Sequence, residues 1–121
     1  MTRNTAREIA AHLSYELSFT DKTVEELLQE RLTSEAFAEL AEEDSLYTEV
    51  PNAKQVAYIT RLVTGVNEHA AELDGYIAKY AKNWKFSRIP LVASAIMRVA
   101  MYEILYICLL YTSDAADDLI G

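Results

Sequence analysis

Cysteine is nearly missing from this 121-residue chain: Cys108 stands alone, so no internal disulfide can staple the fold. Proline and glycine are almost as scarce, at two and three residues, which excludes collagen-like repeats and leaves long stretches between turn residues. Such stretches favour helices over a sheet of short strands. The amino terminus shows no charged segment followed by an apolar one, as a secretory leader would, and with the lone thiol this points to a reducing cytoplasm. Catalytic signatures are missing too: there is no Gly-rich phosphate loop, G-x-S-x-G elbow, H-E-x-x-H or C-x-x-C pair. His12 and His69 lie far apart without clustered ligand partners, so no metal site is expected. Carboxylates are abundant, but abundance is not the positioned pair that acid–base catalysis needs. The expectation is a binding module rather than an enzyme, with no catalytic residue and no cofactor.

What is present is a chain 51% apolar and 25% charged, suited to one small globular domain with a modest core. Residues 89–111 are apolar enough to suggest a membrane span, but Arg98 and Glu103 inside it would each cost about 2.5–3.5 kcal/mol on insertion. A helix buried on most of its circumference explains the same composition. The formal net charge of -8 argues at first against a nucleic-acid partner. The distribution is uneven, however. Acids crowd between Glu8 and Glu49, whereas residues 75–102 contain none and carry Lys79, Lys82, Lys85, Arg88 and Arg98, with Arg3 and Arg7 as a smaller basic spot. Screening confines such charges to about 8–10 Å, so local basic surface and ordinary solvated helix faces both remain open.

Periodicity places a first helix over 3–18, with Ala6, Ile9, Ala10, Leu13 and Leu17 on one face. Arg3, Arg7, Ala11, Ser14 and Tyr15 fall on an adjoining third of the circumference. Two guanidinium groups and a phenol ring on one side suit RNA, since Arg forks phosphates and an aromatic ring stacks on an unpaired base. A packing role for Tyr15 stands beside that reading. Thr23 and Glu26 read as a capping box for a second helix through Leu32, and Ser34 as the cap of a third reaching Glu42. Residues 43–52 read as a loop. A long helix starts near Ala53 with Val56, Ile59, Leu62, Val63 and Val66 inward, and Gly65 within it either admits a close neighbour or marks a bend. The pattern breaks near His69 and resumes through Leu73, Ile77 and Tyr80 to about Asn83. After a connector over 84–88, Pro90 opens a last helix over 91–106, whose deepest stripe is expected to be Val92, Ile96, Val99 and Ile104.

Two blocks carry a family resemblance. The opening Thr2-Arg3-Asn4-Thr5-Ala6-Arg7-Glu8-Ile9-Ala10, with Tyr15 downstream, resembles the first helix of NusB proteins. The second block, Glu72-Leu73-Asp74, Ile77, Tyr80, Asn83-Trp84, Arg88-Ile89 and Ile96-Met97-Arg98-Val99-Ala100-Met101-Tyr102-Glu103-Ile104-Leu105, resembles that family's E-L-D…I…N-W…R-I…I-L-R-x-A-x-Y-E-I-L signature. The resemblance implies an all-α, NusB-like bundle of two small subdomains, about 1–70 and 71–106, the second incomplete. It implies an antitermination factor that binds boxA RNA with the ribosomal protein NusE and acts through other Nus factors and RNA polymerase in ribosomal RNA synthesis, with no membrane involved. Arg3, Arg7 and Tyr15 match the RNA-binding segment. Asn4 and Thr5 stand where many members carry further Arg or Lys, and fewer neutralised phosphates mean weaker binding. Lys82, Lys85 and Arg88 compensate if the connector lies beside the first helix. Trp84, Arg98 and Glu103 are expected in structural roles, the last two in buried polar pairing or helix-end hydrogen bonds.

After Leu105 the family continues through an acidic-Pro turn into an I-N-E-A-x-E-L-A-K helix, and residues 107–121 do not. That tail reads as translated adapter sequence rather than native protein, leaving the apolar face of 91–106 uncovered. Two rival functions remain at this level: the RNA-binding amino-terminal part of a ribosomal RNA cytosine methyltransferase, and a helical protein-interaction module that never touches RNA.

Overall fold

Short polar side chains determine where the first helices begin. Thr2, Thr23, Thr33 and Asn52 are each extended, and each accepts a hydrogen bond from the backbone N–H three residues ahead. The helices that follow are α1 (Arg3–Leu17), α2 (Val24–Arg31), α3 (Ser34–Ala41) and α4 (Ala53–Glu68). In the computed structural model, which describes residues 1–80 and 90–108, the chain continues as α5 (Ala70–Tyr80) and α6 (Leu91–Tyr102), and α6 runs on into a π-helical turn, Glu103–Cys108. Among the described residues there is no strand, and the all-α class stands.

The Thr23–Glu26 capping box forms as expected, and a second box, Asn52–Gln55, starts α4. The third cap is a correction: Thr33, not Ser34, holds the start of α3, because Ser34 is already helical. The loop over 43–52 contains a 3-10 turn at Ser45–Tyr47 and supplies a core residue. Tyr47 is buried edge-on to Phe37, ring centroids 5.3 Å apart, and its hydroxyl meets His12 Nδ1 at 2.8 Å.

Helix α4 lies at the centre, with Ile59, Leu62 and Val63 fully enclosed, and α1 packs on it through Ala6, Ile9, Ala10 and Leu13. One buried cluster runs from Ala6 to Ile107, across both proposed subdomains. Gly65 resolves its two readings toward close packing: a Cβ there would clash with the hydroxyl-bearing edge of the Tyr102 ring. That ring is stacked on Tyr106 at 5.0 Å, and Tyr106 on His69 at 4.4 Å, so the slot has little room to yield.

The buried face of α6 corrects the sequence expectation. Val99 is buried as expected, but Val92, Ile96 and Ile104 are 46%, 55% and 50% exposed. The enclosed residues are Ser94, Ala95, Val99 and Tyr102, followed by Glu103. A helix apolar almost all round gives periodicity no polar face to orient against, and tertiary fit decides instead. Small Ser94 and Ala95 admit close neighbours, and Ser94 satisfies its hydroxyl by donating to the Leu91 carbonyl at 2.9 Å. The segment Leu91–Cys108 is long and apolar enough to cross a membrane by composition, yet here it packs on α1, α4 and α5 with both charges paired. Arg98 grips Asp74 of α5 with two hydrogen bonds, 2.6 and 2.8 Å, and Glu103 pairs with Arg7 of α1. The expected polar pairing of Arg98 and Glu103 forms, buried at Glu103 and only half-buried at Arg98.

Candidate nucleic-acid interface

Three of the six nominated contact residues lie on α1. Arg3 is the first residue of that helix and is exposed. No acid occupies the first turn, so the positive end of the helix dipole and Arg3 act with the same sign. Arg7 lies one turn further along, 36% exposed at its side chain. Its Nε donates to Glu103 Oε1 at 2.5 Å and its Nη1 donates to Asn4 Oδ1 at 2.6 Å. The other Glu103 oxygen accepts from the buried Tyr58 hydroxyl at 2.6 Å.

This trio ties α1, α4 and the end of α6 together. The hydrogen bond from Glu103 raises the already high pKa of Arg7, and burial followed by the same carboxylate drives the Tyr58 hydroxyl well above its ordinary range. Arg7 is thus a fixed cation and Tyr58 a fixed donor at any pH the protein meets. Between α1 and α6, Arg7 and Glu103 border a groove of about 440 Å³, which also has Asn4, Glu8 and Cys108 on its walls.

Tyr15 is two turns from Arg7, about 12 Å along the axis at 1.5 Å per residue. It lies in a second, more apolar groove of about 510 Å³, half-buried, with Phe19 edge-on at 4.9 Å and Val92 and Ile96 opposite. Ala11 and Ile96 line both grooves and stand between them. The face read from the sequence as one surface is therefore interrupted: Ala11 is buried, and Ser14 Oγ is buried with no hydrogen-bond partner among the described residues. Arg3 and Arg7 share one end of α1, while Tyr15 belongs to an aromatic cluster further along. Lys82, Lys85 and Arg88, like Trp84, lie outside the described residues.

Sequence reasoning missed Tyr58 and Asn4. Tyr58 borders the inward stripe of α4, and nothing local marks its hydroxyl as a partner for Glu103. In the sequence Asn4 reads only as a lost basic residue, although its spacing of three from Arg7 on a helix is the signature of a side-chain pair. Among the described residues no group of three or more His, Cys, Asp or Glu side chains could hold a metal ion.

Comparison with known proteins agrees with the pattern of blocks. The profile of the NusB family matches residues 4–108. The chain is 37% identical over 103 residues to the transcription antitermination protein NusB of Acetivibrio thermocellus, covering 85% of this chain and 61% of that protein. It is 34% identical over 106 residues to the NusB protein of Bacillus subtilis, covering 88% and 67%. The NusB protein of Natranaerobius thermophilus is 32% identical over 106 residues, covering 88% and 68%. The chain thus spans about three fifths to two thirds of the length of these curated relatives. No solved structure gave a significant match.

Proposed function

The chain belongs to the NusB family, and on that premise we propose that it is an RNA-binding transcription antitermination factor, taking boxA RNA together with NusE in the cytoplasm and supporting ribosomal RNA synthesis. The observation that carries this reading is Arg7. An arginine one-third exposed, with its guanidinium held by Glu103 and Asn4, offers its remaining donors to a phosphate at little ordering cost. Arg3, free of acidic neighbours in the first helical turn, adds a second phosphate contact. Tyr15 has a partly open ring for a base to stack on. The same reading assigns Lys82, Lys85 and Arg88 to the RNA and gives other Nus factors and RNA polymerase as indirect partners, with no catalytic step and no cofactor.

The chemistry is recognition. Phosphate contacts supply affinity and register, and single-stranded bases are read where they can splay onto aromatic rings. Electrophoretic mobility of a boxA RNA with this chain, alone and with NusE, tests it. A shift that NusE strengthens, and that a scrambled RNA does not give, is the expected result. No shift at micromolar protein in either case would favour the protein-interaction module instead.

A further inference from the structure

Arg7 and Glu103 are 96 positions apart in sequence, and their contact joins the proposed RNA-facing end of α1 to the close of α6. We propose that Glu103 is a positioning residue for RNA binding: its buried carboxylate, fixed by Tyr58, holds Arg7 by Nε so that the guanidinium presents a fixed fork to an RNA phosphate. The inference rests on the reading of α1 as RNA-facing. It assigns a function to a residue that by burial alone would count as core.

Three observations lead there. Glu103 is 6% exposed, and both its oxygens are engaged, one by Arg7 and one by Tyr58. A buried carboxylate needs such partners, and Tyr58 of α4 holds the oxygen that Arg7 leaves free. Arg7 in turn has only part of its donor set occupied. Of the five N–H groups of a guanidinium, Nε is used by Glu103 and one hydrogen of Nη1 by Asn4, while the side chain stays 36% exposed beside an open groove. An arginine so held gives up little rotamer freedom on meeting a planar anion. The arrangement has an electrostatic cost, because Glu103 cancels Arg7's charge at a distance and repels the phosphate. Its benefit is confined to contact range, where orientation decides the strength of a charge-assisted hydrogen bond.

These opposed effects give the test its sign. Affinity of the 121-residue chain for a labelled single-stranded boxA RNA is measured for wild type, Glu103→Ala, Glu103→Gln, Arg7→Ala and the Arg7→Ala/Glu103→Ala double variant. Circular dichroism confirms that each is folded at the assay temperature. Glu103→Ala is expected to weaken binding on the order of tenfold, the loss of one oriented charged hydrogen bond. Glu103→Gln keeps an acceptor for Nε and removes the repulsion, so it is expected to bind at least as tightly as wild type. In the Arg7→Ala background, Glu103→Ala is expected to change nothing further.

Should Glu103→Ala fail to fold, Tyr58→Phe loosens the same carboxylate from the other side. It is expected to weaken binding about two- to threefold, and only where Arg7 is present. Equal tightening by both Glu103 variants would show a purely electrostatic role and overturn the proposal, as would a loss that persists without Arg7. Wild-type binding by Glu103→Ala, with Arg7→Ala impaired, would overturn the positioning role alone. Unchanged binding by Arg7→Ala would remove the RNA reading of α1 and this inference with it.

Discussion

Helices α1 to α4 and helix α6 are built by different rules. Each of the first four starts at a side-chain cap, and their buried residues fall where a 3.6-residue period puts them. Helix α6 starts at Pro90 with no side-chain cap, and its largest aliphatic residues face outward. Its inner face is instead a small-residue approach at Ser94 and Ala95, an aromatic slot at Gly65, and an ion pair at each end of the segment's charged positions. Local signals specify the first region, and fit to neighbours specifies the second. Arg7, the proposed RNA contact, lies where the two meet, held by a carboxylate from the region that local rules do not describe.

The largest effect should come from truncation inside the capped region. Phe37→Ala, at a side chain 1% exposed and packed on Tyr47, is expected to cost about 3–5 kcal/mol in denaturant unfolding. The same truncation at Ile96, 55% exposed on α6, is expected to stay within about 0.5 kcal/mol. A comparable loss at both positions would erase the contrast between the two regions.

A middle-sized effect should come from the slot joining α4 to α6. Gly65→Ala gains about 1 kcal/mol of helix propensity, but its methyl group must displace the stacked Tyr102 ring, and overpacking costs about 1–3 kcal/mol. A net loss of up to about 2 kcal/mol in unfolding is expected. The double variant Gly65→Ala/Tyr102→Ala should show strong coupling, since the clash disappears with the ring. A stabilised Gly65→Ala would show that α6 rests loosely on α4.

The smallest effect sharpens the capping side. Hydrogen bonding from the Thr23 backbone N–H holds the Glu26 carboxyl below the ordinary glutamate range. A depressed folded pKa contributes stability that is present above the unfolded value and is lost as pH falls through the folded one. The melting temperature of Glu26→Gln should therefore lie slightly below wild type at pH 7, and the two should converge as pH falls through the lowered Glu26 pKa. A constant gap across that range would mean that the carboxylate charge contributes nothing to the cap.

The same division explains how much was legible in the sequence. Thr23 with Glu26, the restart near His69 and the inward stripe of α4 depend on neighbours within one or two turns, so they can be read from the chain directly. The cap of α3 was misplaced by one residue because Thr33 and Ser34 are both good caps, and only backbone geometry separates them. Tyr47 escaped notice because a core residue in a loop has no period to announce it. The stripe on α6 was misread because Val92, Ile96 and Ile104 look more buried than Ser94 and Ala95 on any hydrophobicity ranking. At the candidate interface, Arg3 and Arg7 were placed correctly at one end of α1, and Glu103 was expected to be paired. That each was the other's context could not be read, since the contact depends on how α6 crosses α1.

If the Arg3–Arg7 end of α1 meets RNA phosphates as proposed, the salt dependence of boxA binding must change when both arginines are removed. With about 0.7 units of log–log slope for each phosphate neutralised on a single strand, the Arg3→Ala/Arg7→Ala variant is expected to bind more weakly and with a slope shallower by about 1.4 than wild type. Identical affinity and identical slope for the two proteins would contradict it.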